Sequence, residues 1–573
     1  MKNIKRVLSI IGCAVFLSVF IIGAVSCNKG SSSAGGGGAG TLTPGKLPYG
    51  DGKTTLTMFV RNVSDRVSDF SYEKNTWTKA LVDATGIKLD ITSANYAIAN
   101  ERINVMLSTG TYPEVIIHNI SMNDMNYYAS QGILKPMDEN ALARWPNIKA
   151  AFDEFPAVFQ RIRGVDGKVY ALPDINDCLH CVYSYGRVWY YMPWMRDHGF
   201  KEPQTTAELE SYLRYVISND MNKNGQKNAM GIAFDSGSLR NFIAYFAKPF
   251  LPWVYGSQYG VALDGKTVVA QYRDTRFRDA LKWMNSLYKQ GYIVPDSFTM
   301  TGDQLKSLWQ GSTPRVAILA ATWMNGYTDQ GTERWINTFG LPAIEGPNGQ
   351  RNAGNGEPWT ILGGRMFITD KLKNPELVYA LYDYMQNFEV MMNGYIGPKG
   401  IGWADPDPGT SSLSGGTPLY KLLVSYGNDA INSTWDQANP MIRSGKFRLG
   451  EQATNTREAE QWLTTHSNDT ALMNKLLADT SYPEQMWYRT SLANSKYMMK
   501  PEIFLPPIGM DEADNSRYSD INAVLSPFLD RAFVEFITGA RDINSDAAWN
   551  AYIAELDQLN QPEAIRILQK YIK

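Results

Sequence analysis

The sequence predicts an α/β protein built from two or more lobes, and two observations support this prediction. The chain has 573 residues, which is more than a single hydrophobic core usually accommodates. Strand-like and helix-like patterns alternate between residues 54 and 120, and such alternation is typical of right-handed crossovers and a parallel sheet. The 44% hydrophobic and 20% charged fractions are those of an ordinary globular protein.

The alternating segment lies at the start of the folded part. Strands are predicted at 54–61, 87–92 and 114–118, and amphipathic helices at 75–85 and 97–108. The carboxyl ends of parallel strands share one edge of a sheet. The loops that begin at Asn62, Ser93 and Asn119 are therefore expected to face a ligand.

Further helices and strands follow along the chain. Thr205 and Glu208 have the spacing of a capping box, which opens a helix that runs to about Ser218. Helices are predicted at 275–290, 304–310, 375–387 and 549–573, the last broken by Pro562, and strands at 231–235, 315–322, 336–342 and 365–369. The strand at 336–342 is expected to return to the first lobe.

The N-terminus has the pattern of a bacterial lipoprotein signal. Basic residues precede an uncharged, mostly apolar run at 7–25, and small residues stand just before Cys27. We predict a signal peptide at 1–26, with Cys27 lipidated (palmitate among its acyl chains) as the mature N-terminus. The alternative is an uncleaved anchor, because the run is long enough to span a membrane.

A flexible tether is predicted between this signal and the folded part. Residues 27–52 are rich in Gly and Ser and have little to bury. The folded part then begins near Lys53, outside the cytoplasm and held at the membrane by the lipid at Cys27.

Charge and cysteine content exclude several classes of protein. The net charge is −2, and the Lys and Arg residues form no cluster beyond the N-terminus, so nucleic acid is excluded as a partner. Cys178 and Cys181 have CxxC spacing around His180, without the context of a redox motif. With four His in the chain, a local disulfide or two thiols are favoured over a zinc site.

Aromatic residues are concentrated where the first half of the chain leads into the second. Seven lie between Tyr170 and Trp194, more than twice the chain-wide fraction of 12%. Rings with an apolar face and a polar edge suit a ligand cleft, although core packing is the commoner role for any one of them.

Several segments resemble family-1 extracellular solute-binding proteins. They are WMRDHGF at 194–200 followed by TTAEL at 205–209, FRDALKWMNSLYKQG at 277–291, FITDKLKNPELVYALYDY at 367–384, GPKGIGW at 397–403 and GARDINSDAAWNAYI at 539–553. They occur in the family's order over most of the chain.

The resemblance implies a two-lobed, periplasmic-binding-protein-like ("Venus flytrap") α/β fold with a hinge and a helical C-terminal part. It assigns 53–175 with 336–404 to the first lobe, and 176–335 with 405–573 to the second. The implied function is capture of a small-molecule solute, a sugar or oligosaccharide, for delivery to the permease subunits of an ABC transporter. The protein is then a monomer that performs no chemistry and needs no cofactor.

The ligand contacts are expected on loops after the strands and on the hinge. Amide, carboxylate and guanidinium groups bind hydroxyls, and indole rings stack on sugar rings. The candidates are Asn62, His118, Asn119, Asp174, Tyr185, Arg187, Trp189, Trp253, Trp323, Trp359 and Trp403.

One polar loop has the start of a calcium-binding loop. Oxygen donors are predicted from Asp220, Asn222, Asn224, Gln226 and Asn228, and Gly225 supplies the turn. Gly231 stands where a bidentate Glu is expected, so the sequence predicts weak Ca²⁺ binding or a solvated turn.

Two other functions remain open from the sequence. A surface glycan-processing enzyme needs a pair of carboxylates, for which Asp405 and Asp407 are available. Their Pro-rich loop has nothing to separate two pKa values, and HExxH, P-loop and GxSxG motifs are absent from the sequence. A sensor subunit for a membrane kinase is the other alternative.

Overall fold

A computed structural model describes residues 42–62, 71–95, 98–177, 186–255, 259–329, 332–354, 360–410, 417–423, 432–435, 438–443, 490, 493–494 and 496–572. The predictions for the signal peptide, Cys27, the tether up to residue 41, Cys178, Cys181, Tyr185 and Trp359 fall outside these residues. Within them, we find no helix with the length and apolar character needed to cross a membrane.

The strands fall into two larger sheets and two hairpin-like pairs. In chain order they are β1 (Thr55–Asn62), β2 (Lys88–Asn95), β3 (Val115–Ile117), β4 (Ala171–Asp177), β5 (Trp189–Tyr191), β6 (Met230–Ala233), β7 (Val261–Asp264), β8 (Thr267–Ala270), β9 (Val316–Leu319), β10 (Thr338–Gly340), β11 (Thr360–Ile368), β12 (Trp403–Ala404), β13 (Lys421–Leu422) and β14 (Ile442–Arg443).

Helices cover the sheets and form the C-terminal part. They are α1 (Thr76–Thr85), α2 (Ala99–Thr109), α3 (Met122–Ser130), α4 (Glu139–Leu142), α5 (Pro146–Glu154), α6 (Phe159–Ile162), α7 (Met192–Asp197), α8 (Thr206–Ser218), α9 (Leu239–Ala247), α10 (Thr275–Lys289), α11 (Gly302–Gln310), α12 (Glu333–Ile336), α13 (Pro375–Met385), α14 (Phe388–Tyr395), α15 (Glu512–Thr538), α16 (Asp546–Gln558) and α17 (Gln561–Lys570).

The first sheet has the strand order β14-β4-β11-β3-β1-β2 in the described part of the chain. β1 is parallel to β2 and β3, as the alternating segment predicts. β11 enters between β3 and β4 and is antiparallel to both, so the sheet is mixed. β2 continues to Asn95, so Ser93 lies within the strand and does not begin the loop.

The second sheet has the order β10-β5-β9-β6. The prediction that 336–342 returns to the first lobe is wrong, because β10 pairs antiparallel with β5 in the second sheet. Phe339 on β10 is buried, and its ring lies 6.0 Å from that of Tyr190. This aromatic contact holds the strand in the second lobe, and the chain returns to the first sheet only at β11.

Each sheet has its own hydrophobic core, which confirms the two-lobed α/β fold. The first core joins residues from Tyr49 to Ile175 with residues from α13. The second core joins residues from Val188 to Ile344 with the C-terminal helices. Part of the segment 405–573 departs from its predicted lobe, because Trp435 is buried in the first core and β14 pairs with β4.

Local capping explains where several helices begin and end. The Asn75 side chain accepts hydrogen bonds from the first turn of α1, and Gly86 ends the helix with a positive φ of 67°. Thr205 caps α8 by accepting from the Glu208 amide, but the Glu208 carboxylate accepts from Gln204 instead of closing the predicted capping box. Pro562 lies in the first turn of α17, where proline is tolerated.

Candidate functional site

The topology makes one edge of each sheet face the other lobe. The chain leaves the first sheet at the end of β4 and enters the second at the start of β5. It leaves the second sheet at the end of β10 and re-enters the first at the start of β11. The ends of β1, β2, β3 and β14 lie at the same edge as the end of β4. The candidate ligand cleft therefore lies between these two edges.

His118 lies at the first-lobe edge, directly after β3. The residue is 4% exposed, and its Nε2 is 2.5 Å from the Asn100 Oδ1. Burial, followed by the positive charges of Arg61 and Arg365, lowers the pKa of His118 to about 4. The imidazole is thus neutral at neutral pH and its Nε2 donates to Asn100. The buried Nδ1 has no hydrogen-bond partner among the described residues.

Asp174 lies on β4 between Arg365 and Arg443, neither of which is a predicted site residue. Its Oδ2 accepts from the Arg365 Nη2 at 2.5 Å, and its Oδ1 lies 3.9 Å from the Arg443 Nη2. The Met441 amide also donates to Asp174 at 3.3 Å. Because its carboxylate already holds β4, β11 and the segment before β14 together, Asp174 has a structural role beside the predicted ligand contact.

Arg187 and Trp323 meet at the second-lobe edge. Arg187 precedes β5 and is 4% exposed, whereas Trp323 follows β9 and is 38% exposed. The guanidinium carbon of Arg187 lies 5.3 Å from the centre of the Trp323 ring and 5.8 Å from that of Trp189. An indole that keeps 38% of its surface exposed can stack on a ligand ring.

Asn241 on α9 positions this edge. Its Oδ1 accepts from the Gly186 amide at 2.8 Å, the Arg187 amide at 3.3 Å and the Thr322 hydroxyl at 3.1 Å. Its Nδ2 donates to the Arg187 carbonyl at 2.7 Å. The residue is 2% exposed and ties the chain that enters β5 to the chain that leaves β9.

Three of the predicted stacking tryptophans are core residues. Trp189 and Trp253 are fully buried, and Trp403 is 2% exposed. The Trp189 indole donates to the Ala321 carbonyl at 2.8 Å, and Trp253 stacks on Phe277 with ring centres 4.3 Å apart. Trp403 donates to the Asn393 Oδ1 at 3.0 Å. Their ring faces are covered by protein, so these three predictions of ligand stacking are wrong.

Asn62 and Asn119 lie at the first-lobe edge of the cleft, as predicted. Asn62 is the last residue of β1 and pairs with Asn95, although its side chain lies outside the described part. Asn119 is exposed next to His118. Arg61, Arg365, Arg443 and Asn241 were missed. Arg61 and Arg365 stand inside predicted strands, Arg443 lies on the two-residue β14, and Asn241 lies on α9. The signal that could have found them is a polar residue in an otherwise apolar element.

The loop 220–228 has the backbone of a cation-binding loop. The Gly225 amide donates to the Asp220 Oδ2 at 2.6 Å, and Gly225 has a φ of 82°. Within the part of the chain that the structure describes, the buried Asp220 Oδ1 and Asn228 Oδ1 have no hydrogen-bond partner. Burial raises the pKa of Asp220, but backbone N–H donors outweigh it and the net pKa is lowered. The carboxylate is therefore ionised and directed into the loop.

The remaining donors fit Ca²⁺ only in part. Asn222 and Asn224 already accept from the Trp194 indole at 3.2 Å and the Gln226 amide at 3.0 Å. Gly231 replaces the bidentate carboxylate, and a Cβ there would lie 2.2 Å from the Tyr292 carbonyl oxygen. The described residues contain no group of three or more His, Cys, Asp or Glu suited to a metal. The residues present therefore fit a weak calcium loop with one charged ligand.

Two lobes joined by a hinge, with polar and aromatic groups between them, define a binding protein. Residues 76–398 match the sequence model of the family described as bacterial extracellular solute-binding protein, so the chain belongs to this family. This match confirms the resemblance drawn from the sequence. Members of the family are substrate-binding proteins and not enzymes, and the family's description as extracellular gives the chain an extracytoplasmic location.

Individual relatives agree with this assignment. The fructooligosaccharide ABC transporter substrate-binding protein FusA of Streptococcus pneumoniae serotype 4 is 22% identical over 501 residues, covering 85% of this chain and 84% of FusA. The structure of an S. pneumoniae FusA EF-hand mutant with fructo-nystose has a TM-score of 0.66, with 19% identity over 91% of this chain and 99% of that one. A human-milk-oligosaccharide (HMO) binding solute-binding protein of Bifidobacterium longum infantis has a TM-score of 0.68, with 16% identity over the same shares. At these identities the structures establish the fold.

Proposed function

We propose that this protein captures a sugar or oligosaccharide outside the cytoplasm and delivers it to the permease subunits of an ABC transporter. The observation that carries the proposal is the half-exposed Trp323 ring beside the buried Arg187 at the edge of the second sheet. An indole face binds the apolar side of a sugar ring, while arginine, amide and imidazole groups bind its hydroxyls. The carbohydrate named for FusA supports the same ligand class.

Ligand binding closes the two lobes in this mechanism. A ligand favours the closed form only through contacts that it makes better there, and both edges of the cleft supply such contacts. The described strands pass from the first sheet to the second between β4 and β5 and return between β10 and β11, so we expect closure to move one sheet relative to the other. The closed form then docks on the permease as a monomer.

Thermal-shift screening against a glycan library tests the ligand class, and small-angle scattering tests closure. We expect at least one sugar to raise the unfolding temperature, because a ligand at 100-fold its Kd stabilises by about 2.7 kcal/mol, and to reduce the radius of gyration. The proposal fails if no sugar or oligosaccharide in a broad panel produces either change.

We further propose that lipid at Cys27 holds the protein at the membrane. The basic, apolar and small-residue segments before Cys27 support this, and two or more acyl chains give a stable anchor where one is marginal. Mass spectrometry of the membrane-extracted protein is expected to find acylated Cys27 at the N-terminus. Retention of a Cys27→Ser variant in the membrane at wild-type level contradicts lipidation.

Ca²⁺ is proposed as a weakly bound structural ion. Asp220, Asn222, Asn224, the Gln226 carbonyl and Asn228 would hold it, and the ion would supply only charge and rigidity to the loop. The description of one FusA structure as an EF-hand mutant supports a calcium loop in a protein of similar fold.

A further inference from the structure

The first-lobe edge of the cleft carries buried positive charge. Arg61 and Arg365 are each 7% exposed, and Arg443 is 5% exposed. They lie on three different strands, β1, β11 and β14, which the topology brings to the edge that faces the second lobe. Arginines this buried are normally matched by carboxylates.

Arg365 and Arg443 share a single carboxylate. Among the described residues, Asp174 alone forms ion pairs with them, at 2.5 Å to Arg365 and 3.9 Å to Arg443. The longer distance exceeds that of a hydrogen bond. Asp174 also accepts from the Met441 amide, so its acceptor capacity is divided. These two arginines and one aspartate therefore leave one positive charge in excess.

Arg443 is the less satisfied of the two arginines. The guanidinium carbon of Arg443 lies 5.0 Å from the centre of the Tyr395 ring. The Arg443 side chain forms no hydrogen bond within the described residues. Its Nε and the Nε of Arg365 are buried, and no described residue supplies an acceptor for either. A guanidinium has five N–H donors in a planar fork, and leaving them without acceptors in a buried site is costly.

The lowered pKa of His118 is consistent with an excess of positive charge at this edge. Both charges that lower its pKa, after burial, are arginines of this edge. The imidazole stays neutral and adds no charge of its own, while Arg187 places a further cation at the opposite edge. A neutral sugar would leave the excess charge uncompensated.

We propose that the ligand carries an anionic group, the carboxylate of an acidic sugar or a sulfate ester, and that Arg365 and Arg443 bind this group. The inference rests on the proposed carbohydrate-binding function and specifies its substrate class. Two oxygens of a carboxylate or of a sulfate group can each accept a hydrogen bond from the guanidinium fork, which forms two parallel hydrogen bonds. Asp174 holds the two arginines in place for this contact.

The test compares ligands that differ only in charge. Calorimetry is done with trigalacturonate, with its fully methyl-esterified form and with a neutral and a sulfated oligosaccharide of equal length. We expect an anionic member to bind roughly 10-fold to 100-fold more tightly than its neutral counterpart, with affinity falling as NaCl rises. The carboxylate and sulfate arms identify which anion is recognised.

Variants locate the anion. Arg443→Gln and Arg365→Gln are expected to remove the preference for the charged ligand while retaining residual affinity for the neutral one. Arg144→Gln is the control, because Arg144 pairs with Glu376 on the surface of the same lobe. The salt dependence of the unmodified protein gives a second readout that does not depend on whether the variants fold.

The outcomes separate this inference from the proposed function. Equal or tighter binding of neutral sugars overturns the anionic preference and leaves sugar capture intact. An anionic preference that survives both arginine variants overturns the assignment to Arg365 and Arg443. Binding of no sugar of either kind overturns the proposed function together with the inference.

Discussion

At the scale of single residues, the tryptophans differ in what covers their ring faces. Trp323 follows β9 at the edge of the sheet and keeps 38% of its surface exposed. Trp253 has one face covered by Phe277, with ring planes only 15° apart. A sugar ring needs an open indole face, so Trp323 is the residue of this set that can stack on a ligand.

Replacing Trp323 with Ala is expected to weaken sugar binding about fivefold, because stacking contributes about 1 kcal/mol beyond buried area. Its effect on unfolding should be small, since the ring is half-exposed. Trp253→Ala is the comparison and should lose about 3–5 kcal/mol of stability through the cavity it creates. Calorimetric titration and urea unfolding measure the two effects, and unchanged ligand affinity in Trp323→Ala rules out the stacking role.

His118 is expected to remain neutral down to about pH 4, its pKa in the folded protein. Since the ordinary value is near 6.5, the unfolded chain binds more protons than the folded protein between these values. His118 therefore reduces stability as pH falls through 6.5 towards 4, and has no effect above this window. Ring-proton NMR titration of the folded protein checks the pKa of His118. Titration of His118 near pH 6.5 contradicts its burial among arginines.

Part of the candidate site could be predicted from the sequence, and the rest depends on folding. His118 and Trp323 are recognisable because each directly follows a run of buried strand residues. Trp323 cannot be told from Trp253 in the sequence, because the contact with Phe277 forms only when α10 packs. The excess of arginine is equally invisible, because Arg365 and Arg443 are far apart in the chain and meet only at Asp174.

At the scale of elements, short-range chemistry decides helix ends, while pairing decides where strands belong. Asn75 and Gly86 are recognisable as the two ends of α1, since capping involves neighbours in the chain. The partner sheet of β10 is not recognisable, because Phe339 packs on Tyr190 from a distant part of the sequence. β14 is only two residues long and carries too little pattern to be predicted.

The loop 220–228 gives a prediction for Ca²⁺. Millimolar Ca²⁺ is expected to raise the unfolding temperature modestly, because one charged ligand without a bidentate Glu gives weak binding. Asp220→Asn should abolish the shift by removing that charge. Differential scanning fluorimetry with CaCl₂, MgCl₂ and EGTA measures it. An equal shift with MgCl₂, or one that persists in Asp220→Asn, contradicts calcium binding in this loop.

Gly394 shows how one element constrains another. A Cβ at Gly394 on α14 would lie 2.4 Å from the Trp77 ring of α1, whose indole N–H donates to the Val390 carbonyl at 2.9 Å. Gly394→Ala is therefore expected to cost about 1–3 kcal/mol through overpacking, more than the helix propensity it gains. Gly326→Ala is the control, because a Cβ there meets nothing within 4 Å. Urea unfolding compares them, and equal stability of the two variants refutes the steric account.

At the scale of the whole molecule, a buried lysine lies where the connections between the lobes converge. A narrow pocket beside Lys248 is lined by Gly186, which lies between β4 and β5, by Gly354, which lies between β10 and β11, and by Asn494. Lys248 is 4% exposed, and its carbonyl accepts from the Asn352 side chain at 2.8 Å. Burial lowers the pKa of Lys248 to about 7. The junction of the lobes thus contains a group that loses its proton near neutral pH.

Lys248→Met is expected to stabilise the protein at pH 7 and to change its pH dependence. Between the folded pKa near 7 and the ordinary value of 10.5, the unfolded chain holds a proton that the folded protein has released. Stability of the unmodified protein therefore rises with pH in this window, by up to about 1.4 kcal/mol per unit, and the advantage of Lys248→Met shrinks towards pH 10. Urea unfolding of both proteins at pH 7, 8.5 and 10 measures the difference, with the exposed Lys282→Met as control. If the free energies of unfolding of wild type and Lys248→Met change in parallel with pH, the lowered pKa is contradicted. If the two free energies converge as pH rises from 7 to 10, Lys248 is neutral in the folded protein over this range while it remains charged in the unfolded chain.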